Sequence, residues 1–322
     1  MDSKQNLSVG IDIGTSTSQL VFSRLELRNR AAACQIPRFE ITDRRIVWQS
    51  PVAFTPLTDV DTLDEAALDA LIRGWYAEAG VRPEDVETGA VIVTGESLKT
   101  VNARRTVMRL ADSLGDFVVA SAGPHLESVI AGRGAGAAAL SEARRGTVLN
   151  IDIGGGRTNV SVFSFGHQIV WDILNVGGDR FDDAIIDYLR KKHNLLIGAR
   201  TAEELKIDIG SARMRGVKLE MDACGRSLVS GLPRAVTVSS EEMIEALDEP
   251  LRDLMSALHR MIERTPPELA SDIFDEGITL SGGGAQLFGL DGVISDQLKI
   301  RTTLADEPDL CVAHGLSELI DD

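Results

Sequence analysis

The sequence predicts an α/β protein built from two duplicated halves that face one ligand, and three observations carry that reading. First, an apolar run (Val148, Leu149, Ile151, Ile153) delivers Asp152 into three consecutive glycines, after which Val160 and Val162 resume an alternating strand. Second, the N-terminus repeats the design: Val9-Gly-Ile-Asp-Ile13 leads through Asp12 into a Gly14/Thr15/Ser16/Thr17 turn and a second alternating run ending at Phe22. Third, the expected order β-β-β-α-β-α occurs in both halves, with small extra elements in the second. Each stretch reads as a β-hairpin with a glycine-rich turn. Glycine permits close backbone approach, so successive N–H groups can converge on an anion. A carboxylate beside such a turn repels phosphate unless a divalent cation, Mg2+, lies between them. One such hairpin is an ordinary turn, whereas a pair at matching positions points to phosphate binding.

The elements follow in order. Residues 8–24 form the first hairpin, and residues 31–55 alternate as a third strand after a turn at Asp43-Arg44. Leu63, Ala66, Leu68, Leu71, Ile72 and Trp75 recur at helical spacing, which assigns Trp75 to a core rather than to base stacking. A buried strand over 89–94 precedes a helix over 97–113 with Val107, Met108, Leu110 and Ala111 inward; a strand over 117–122 precedes a helix opened by Pro124. In the second half, residues 147–175 give a hairpin and a third strand, then a helix with Phe181, Ile185, Tyr188 and Leu189 on one face. Thr201-Ala-Glu-Glu204 reads as a capping box opening the next helix, and Ser239-Ser-Glu-Glu242 as another, opening a long helix that Pro250 should kink or break. Residues 217–222 and 235–239 read as strands of a small sheet. A strand over 277–281 feeds Gly282, Gly283 and Gly284, and residues 309–320 form a short amphipathic tail helix. The expected lobes are 1–145 and 146–322, with a small inserted subdomain at about 199–260.

Composition narrows the function. Lys and Arg number 33 against 49 Asp and Glu, a net charge of −16, which argues against nonspecific nucleic-acid binding and against an anionic membrane surface. Phosphate would then be held by backbone donors and a metal. Cys34, Cys224 and Cys311 show neither metal spacing nor a disulfide framework, which suits a reducing cytosol. No signal peptide opens the chain, and no apolar run approaches the roughly 20 residues of a membrane span, so a cytoplasmic protein is expected. Gly132-Arg-Gly-Ala-Gly-Ala137 follows a helix rather than a strand, which fails the requirement of a dinucleotide fingerprint, and there is no Walker-type loop.

The tandem pattern, with its hairpins and Leu280-Ser-Gly-Gly-Gly284 in order, resembles the actin, sugar-kinase and heat-shock-chaperone ATPase superfamily. That resemblance implies a two-lobe actin-like ATPase fold, duplicated ribonuclease-H-like domains with ATP or ADP in the cleft. By the same resemblance, Asp12 and Asp152 bind Mg2+ largely through water and serve catalysis. The turns Gly14–Thr17 (Gly14, Thr15, Ser16, Thr17) and Gly154–Thr158 (Gly154, Gly155, Gly156, Thr158) hold the β- and γ-phosphates. Glu127 matches the position that orients the attacking water; without the resemblance, it is an acid favoured in a helix's first turn. Gly177, Gly178 and Asp179 resemble the loop over ribose and phosphates, though Asp179 equally reads as an N-cap. Glu203 and Lys206 match positions flanking adenine and ribose; by spacing alone they are an exposed i,i+3 ion pair. Gly282, Gly283 and Gly284 bring backbone to the adenosine, or simply make a tight strand-to-helix turn.

Within the superfamily, residues 7–153 resemble the reactivating factors of ethanolamine ammonia-lyase (EutA). The matching stretches include Trp48-Gln-Ser-Pro51, Thr94-Gly-Glu-Ser97 and, most distinctively, Ala122-Gly-Pro-His-Leu-Glu-Ser-Val-Ile-Ala-Gly132. Residues from about 158 to about 304 resemble the rod-shape-determining bacterial actins (MreB), through Gly177–Ile186, Thr201–Ile207, Ile209–Ala212 and Arg264–Ala270. The first resemblance implies an ATP-dependent, slowly hydrolysing chaperone acting on the lyase as client. The second implies self-association into ATP-dependent filaments. A small-molecule kinase ranks below both, since no substrate-binding insertion is recognisable beyond the two lobes.

Overall fold

A computed structural model describes residues 3–14, 17–29, 39–59, 62–93, 102–114, 117–121 and 124–319. The chain forms two compact units, residues 1–134 with 310–322, and residues 135–309. In the first, β1 (Ser3–Ile13) and β2 (Thr17–Asn29) make the hairpin and β3 (Phe39–Gln49) pairs with β2. Short strands β4 (Ala53–Phe54), β5 (Leu57–Asp59) and β6 (Thr62–Leu63) lead to α1 (Glu65–Ala79). Then come β7 (Thr88–Val93), α2 (Ala103–Leu114), β8 (Phe117–Ser121) and α3 (Pro124–Gly134). The sheet order is β3-β2-β1-β7-β8, with β1 antiparallel to β2 and parallel to β7. Period-two alternation sends Val9, Ile11 and Ile13 to one face, where the helical stripe Leu68, Ile72 and Trp75 meets them. Asp64 caps α1 by accepting from the Ala67 amide, and Gly80 ends the helix in the left-handed region at φ 67°.

The second unit opens with α4 (Ala137–Arg144), β9 (Thr147–Ile153), β10 (Thr158–Ser164) and β11 (His167–Leu174). It continues through α5 (Gly178–His193), β12 (Leu195–Leu196), α6 (Ala199–Ile209), β13 (Glu220–Ser227), β14 (Pro233–Ser239) and α7 (Ser240–Arg264). It closes with α8 (Pro267–Glu276), β15 (Ile278–Ser281), α9 (Leu290–Leu298) and β16 (Thr302–Leu304). Its main sheet, β11-β10-β9-β15-β16, repeats the order and strand directions of the first, while β12-β13-β14 forms the small inserted sheet. Every residue of β9 and β10 is buried, as befits central strands covered on both faces.

Several expectations are corrected. The tail helix α10 (Cys311–Leu319) lies in the first unit rather than with residues 146–309. It crosses α3 at two glycines: a Cβ on Gly134 would fall 1.8 Å from the Cys311 carbonyl oxygen, and one on Gly315 would fall 2.0 Å from that of Ile130. Within the 132–137 run, Gly134 thus serves helix packing and Gly136 the start of α4. No turn occurs at Asp43-Arg44; β3 runs through it, absorbing the irregularity as register shifts against β2. The helix after Gly198 begins at Ala199, so Thr201 lies inside it and caps nothing, whereas the Ser239–Glu242 capping box is fully formed. Helix α7 runs unbroken through Pro250, which is buried among its core-facing residues. Met108 is exposed rather than inward. Among the described residues, no helix is long and apolar enough to cross a membrane.

Candidate nucleotide site

The two hairpins are built alike to the level of single hydrogen bonds. Asp12 stands opposite Gln19 and Asp152 opposite Asn159, the same number of residues apart. Each turn closes with a glycine amide donating to a carbonyl three residues on, Gly14 to Thr17 and Gly154 to Arg157, both at 2.9 Å. On its other side each aspartate meets a parallel strand, at Ile92 in β7 and at Ser281 in β15. Asp12 and Thr17 are partly buried, and the Thr55 hydroxyl braces the first turn by donating to the Gly14 carbonyl at 2.8 Å. Thr15 and Ser16 lie outside the described residues.

Asp152 is only 3% exposed, and burial raises its pKa above the ordinary carboxylate range. The Ser281 hydroxyl donates to its Oδ1 at 3.1 Å and the Asn159 amide to its Oδ2 at 3.5 Å. Both partners are neutral, so the carboxylate is oriented without being neutralised. That is the condition of a hard oxygen ligand for a divalent cation. Among the described residues, none accepts from the amides of Gly155 and Gly156, which remain available to an anion. These residues therefore fit a Mg-nucleotide: Asp152 toward the metal, the turn toward phosphate. The Thr158 hydroxyl is buried and donates to the Val176 carbonyl at 2.6 Å, so it tethers the following loop.

That loop is docked on the hairpin. Gly178 and Asp179 donate to the carbonyls of Gly154 and Gly155 at 3.0 and 2.8 Å. A Cβ on Gly177 would lie 2.4 Å from the Gly155 oxygen, so only glycine allows this approach. Gly177 is the N-cap residue of α5, which places Asp179 in the first turn and removes its N-cap reading.

Lys206 does not pair with Glu203, as spacing alone suggested. Its ammonium donates to Asp182 Oδ2 at 2.7 Å and to the Gly178 carbonyl at 3.3 Å, and the two side chains are 14% and 13% exposed. Burial is the chief cause that pushes the Asp182 pKa up to about 6; Lys206 opposes it, while Glu203 and Asp179 add to it. A carboxyl raised in this way stabilises the fold fully below its unfolded value, and that contribution is lost as pH rises through about 6. Asp182→Asn should therefore flatten the stability–pH slope between about pH 4 and about pH 6, a span worth at most ~3 kcal/mol. Urea midpoints across that range check this, and parallel slopes for parent and variant would refute it.

Gly282, Gly283 and Gly284 follow β15 beside β9, with Gly282 at φ 84° and its amide donating to the Pro308 carbonyl at 2.6 Å. Glu127 sits in the first turn of α3, in the first unit, and is buried. Structure thus brings together Asp152, the Gly154–Thr158 turn, Gly177–Asp179, Lys206 and the 282–284 turn within one unit. Ser281, Asn159 and Asp182 escaped the sequence reading. The first two had a faint signal, as polar residues in otherwise apolar strands; Asp182, one acid among several on α5, had none.

Two units of the same topology, each presenting an aspartate beside a glycine turn, define an actin-like ATPase fold. The crystal structure of MreB5 of Spiroplasma citri bound to ADP matches at a TM-score of 0.71 and 26% identity, covering 98% of this chain and 96% of that one. The chain belongs to the ethanolamine utilisation protein EutA family, whose model matches residues 4–299 and so extends beyond the first half into the second. It is 45% identical to the ethanolamine ammonia-lyase reactivase EutA of Escherichia coli (strain K12) over 288 residues, 89% of this chain and 58% of that protein. It is also 33% identical to the cell shape-determining protein Mbl of Bacillus subtilis (strain 168) over 281 residues, 86% of this chain and 82% of Mbl. The chain thus spans under two thirds of the length of the reactivases it matches.

Proposed function

We propose that this chain is a Mg-ATP-binding, slowly hydrolysing switch that serves as a reactivating factor for ethanolamine ammonia-lyase in the cytoplasm. The observation that carries the reading is 45% identity to a named reactivase across 89% of the chain. Each of the matched hairpins would serve nucleotide binding, with Asp12 and Asp152 toward a metal and the glycine turns toward phosphate. Bound Mg2+ would supply neutralisation of charge on the phosphates. Ser281 and Asn159 hold the Asp152 carboxylate in a fixed orientation, and backbone N–H groups of the turn provide preorganised donors. Glu127 positions the attacking water or accepts its proton. Glu203 and Lys206, with the 282–284 turn, take the nucleoside. Turnover would change the conformation that a bound client meets. Recovery of cobalamin-inactivated lyase on addition of this chain with MgATP tests the proposal. No ATP-dependent recovery, under conditions where a full-length reactivase restores activity, would sink it.

The 33% identity to Mbl over 82% of Mbl's length favours a second reading, an ATP-dependent cytoskeletal filament. ATP-dependent sedimentation of the purified chain distinguishes the two, since a client-directed chaperone stays in the supernatant.

A further inference from the structure

The two elements proposed above to take the nucleoside, the Glu203/Lys206 face of α6 and the turn that opens with Gly282, Gly283 and Gly284 and runs to Gln286, are joined by a short link. Helix α6 ends at Gly210, whose amide donates to the Lys206 carbonyl at 3.1 Å. The next residues run beside the chain that leaves the glycine turn: Ser211 bridges to Phe288, and the Ala212 amide donates to the Phe288 carbonyl at 2.9 Å. Arg215 closes this link. Its guanidinium lies 4.1 Å from the Phe288 ring centroid, its Nε donates to the Ser211 hydroxyl at 3.0 Å, and its Nη2 donates to the Gly210 carbonyl at 2.8 Å. Ser211 is fully buried, while Phe288 would otherwise present a bare ring, being 40% exposed even beneath the arginine. Two glycines leave room for the neighbouring Arg213: a Cβ on Gly289 would fall 2.6 Å from its Cγ, and one on Gly292 would fall 2.2 Å from its Nη1.

We propose that Arg215 is a positioning residue for nucleoside binding, a clasp that fixes the α6 wall against the 282–286 turn through Phe288, Ser211 and the Gly210 carbonyl. It touches no reacting group; it acts through the link it closes between the end of α6 and the chain that leaves the glycine turn. The proposal rests on the nucleotide reading for its ligand but not for its geometry. Three contacts converge on one planar cation, and a lysine keeps the charge while losing both the stacked plane and the fork of donors.

Arg215→Lys and Phe288→Leu test it in the full chain. Hydrogen exchange without nucleotide reads the clasp directly: the Ala212 amide should exchange about tenfold faster in either variant, with β9 amides unchanged as the control for folding. Calorimetric titration reads its consequence: MgATP should bind about tenfold more weakly to each variant, magnesium pyrophosphate should bind as to the parent, and the double variant should add little, because the two residues act as one unit. A parent that fails to bind MgATP would remove the nucleotide reading and leave the clasp to be judged by exchange alone. Unchanged Ala212 exchange in both variants overturns the clasp. Faster exchange with unaltered MgATP affinity, in a parent that binds it, overturns its positioning role. If Arg215→Lys does not fold, Phe288→Leu carries both readouts.

Discussion

Asp152→Ala is expected to weaken MgATP binding by about a hundredfold or more while the protein stays folded. The size follows from what surrounds the carboxylate. Its described partners, Ser281 and Asn159, donate hydrogen bonds but bring no positive charge, so a bound cation would be its main electrostatic partner. Burial raises its pKa, which means that the ionised form costs the nucleotide-free fold free energy at neutral pH. Removing the charge while keeping the shape, as Asp152→Asn does, should therefore raise the Tm of the nucleotide-free protein. A group that harms resting stability yet supports ligand binding is the signature of a functional rather than a structural residue. Calorimetry with and without EDTA, paired with thermal melts, checks both halves. MgATP affinity unchanged in Asp152→Ala would remove the metal role.

Gly282→Ala is expected to cost about 2–4 kcal/mol of stability, with nucleotide binding lost alongside. Two independent constraints meet there. The backbone holds φ 84° and ψ 157°, a region essentially reserved for glycine, and a Cβ would sit 2.3 Å from the Ile153 oxygen. Ile153 cannot retreat, because β9 is paired to β10 on one side and β15 on the other. Gly283 has nothing within 4 Å of its hypothetical Cβ, so Gly283→Ala should leave the melting temperature within about 1 °C of the parent. Equal melting of the two variants would show that the strain at Gly282 is relieved elsewhere.

The hairpins were legible because their chemistry is local. Asp12 and Gln19, or Asp152 and Asn159, meet across a turn of a few residues, so the apolar alternation and the glycines between them specify the contact. The burial of Trp75 and of the Phe181, Ile185 and Leu189 stripe followed from helical period in the same way. Local rules failed where the chain had another choice, near in sequence or far from it. Thr201 looked like a cap, but α6 starts earlier, and Pro250 looked like a break, but it is buried in the middle of α7. Lys206 passed over Glu203, its neighbour one turn away, for Asp182 on a different helix.

The sequence by itself determined the duplication, the order of the principal strands and helices, and the two glycine turns that carry an aspartate each, since periodicity and turn chemistry are short-range properties of the chain; the helices α4 and α8 and the strand β16 were not read from it. Only the tertiary structure decided that α10 belongs with the first unit, that Ser281 orients Asp152, and that Arg215 ties Phe288 to the end of α6. The reason is physical: such contacts depend on complementary shape and paired polar groups between segments far apart in sequence, and a single polar residue or glycine leaves no periodic trace of the partner that it will meet.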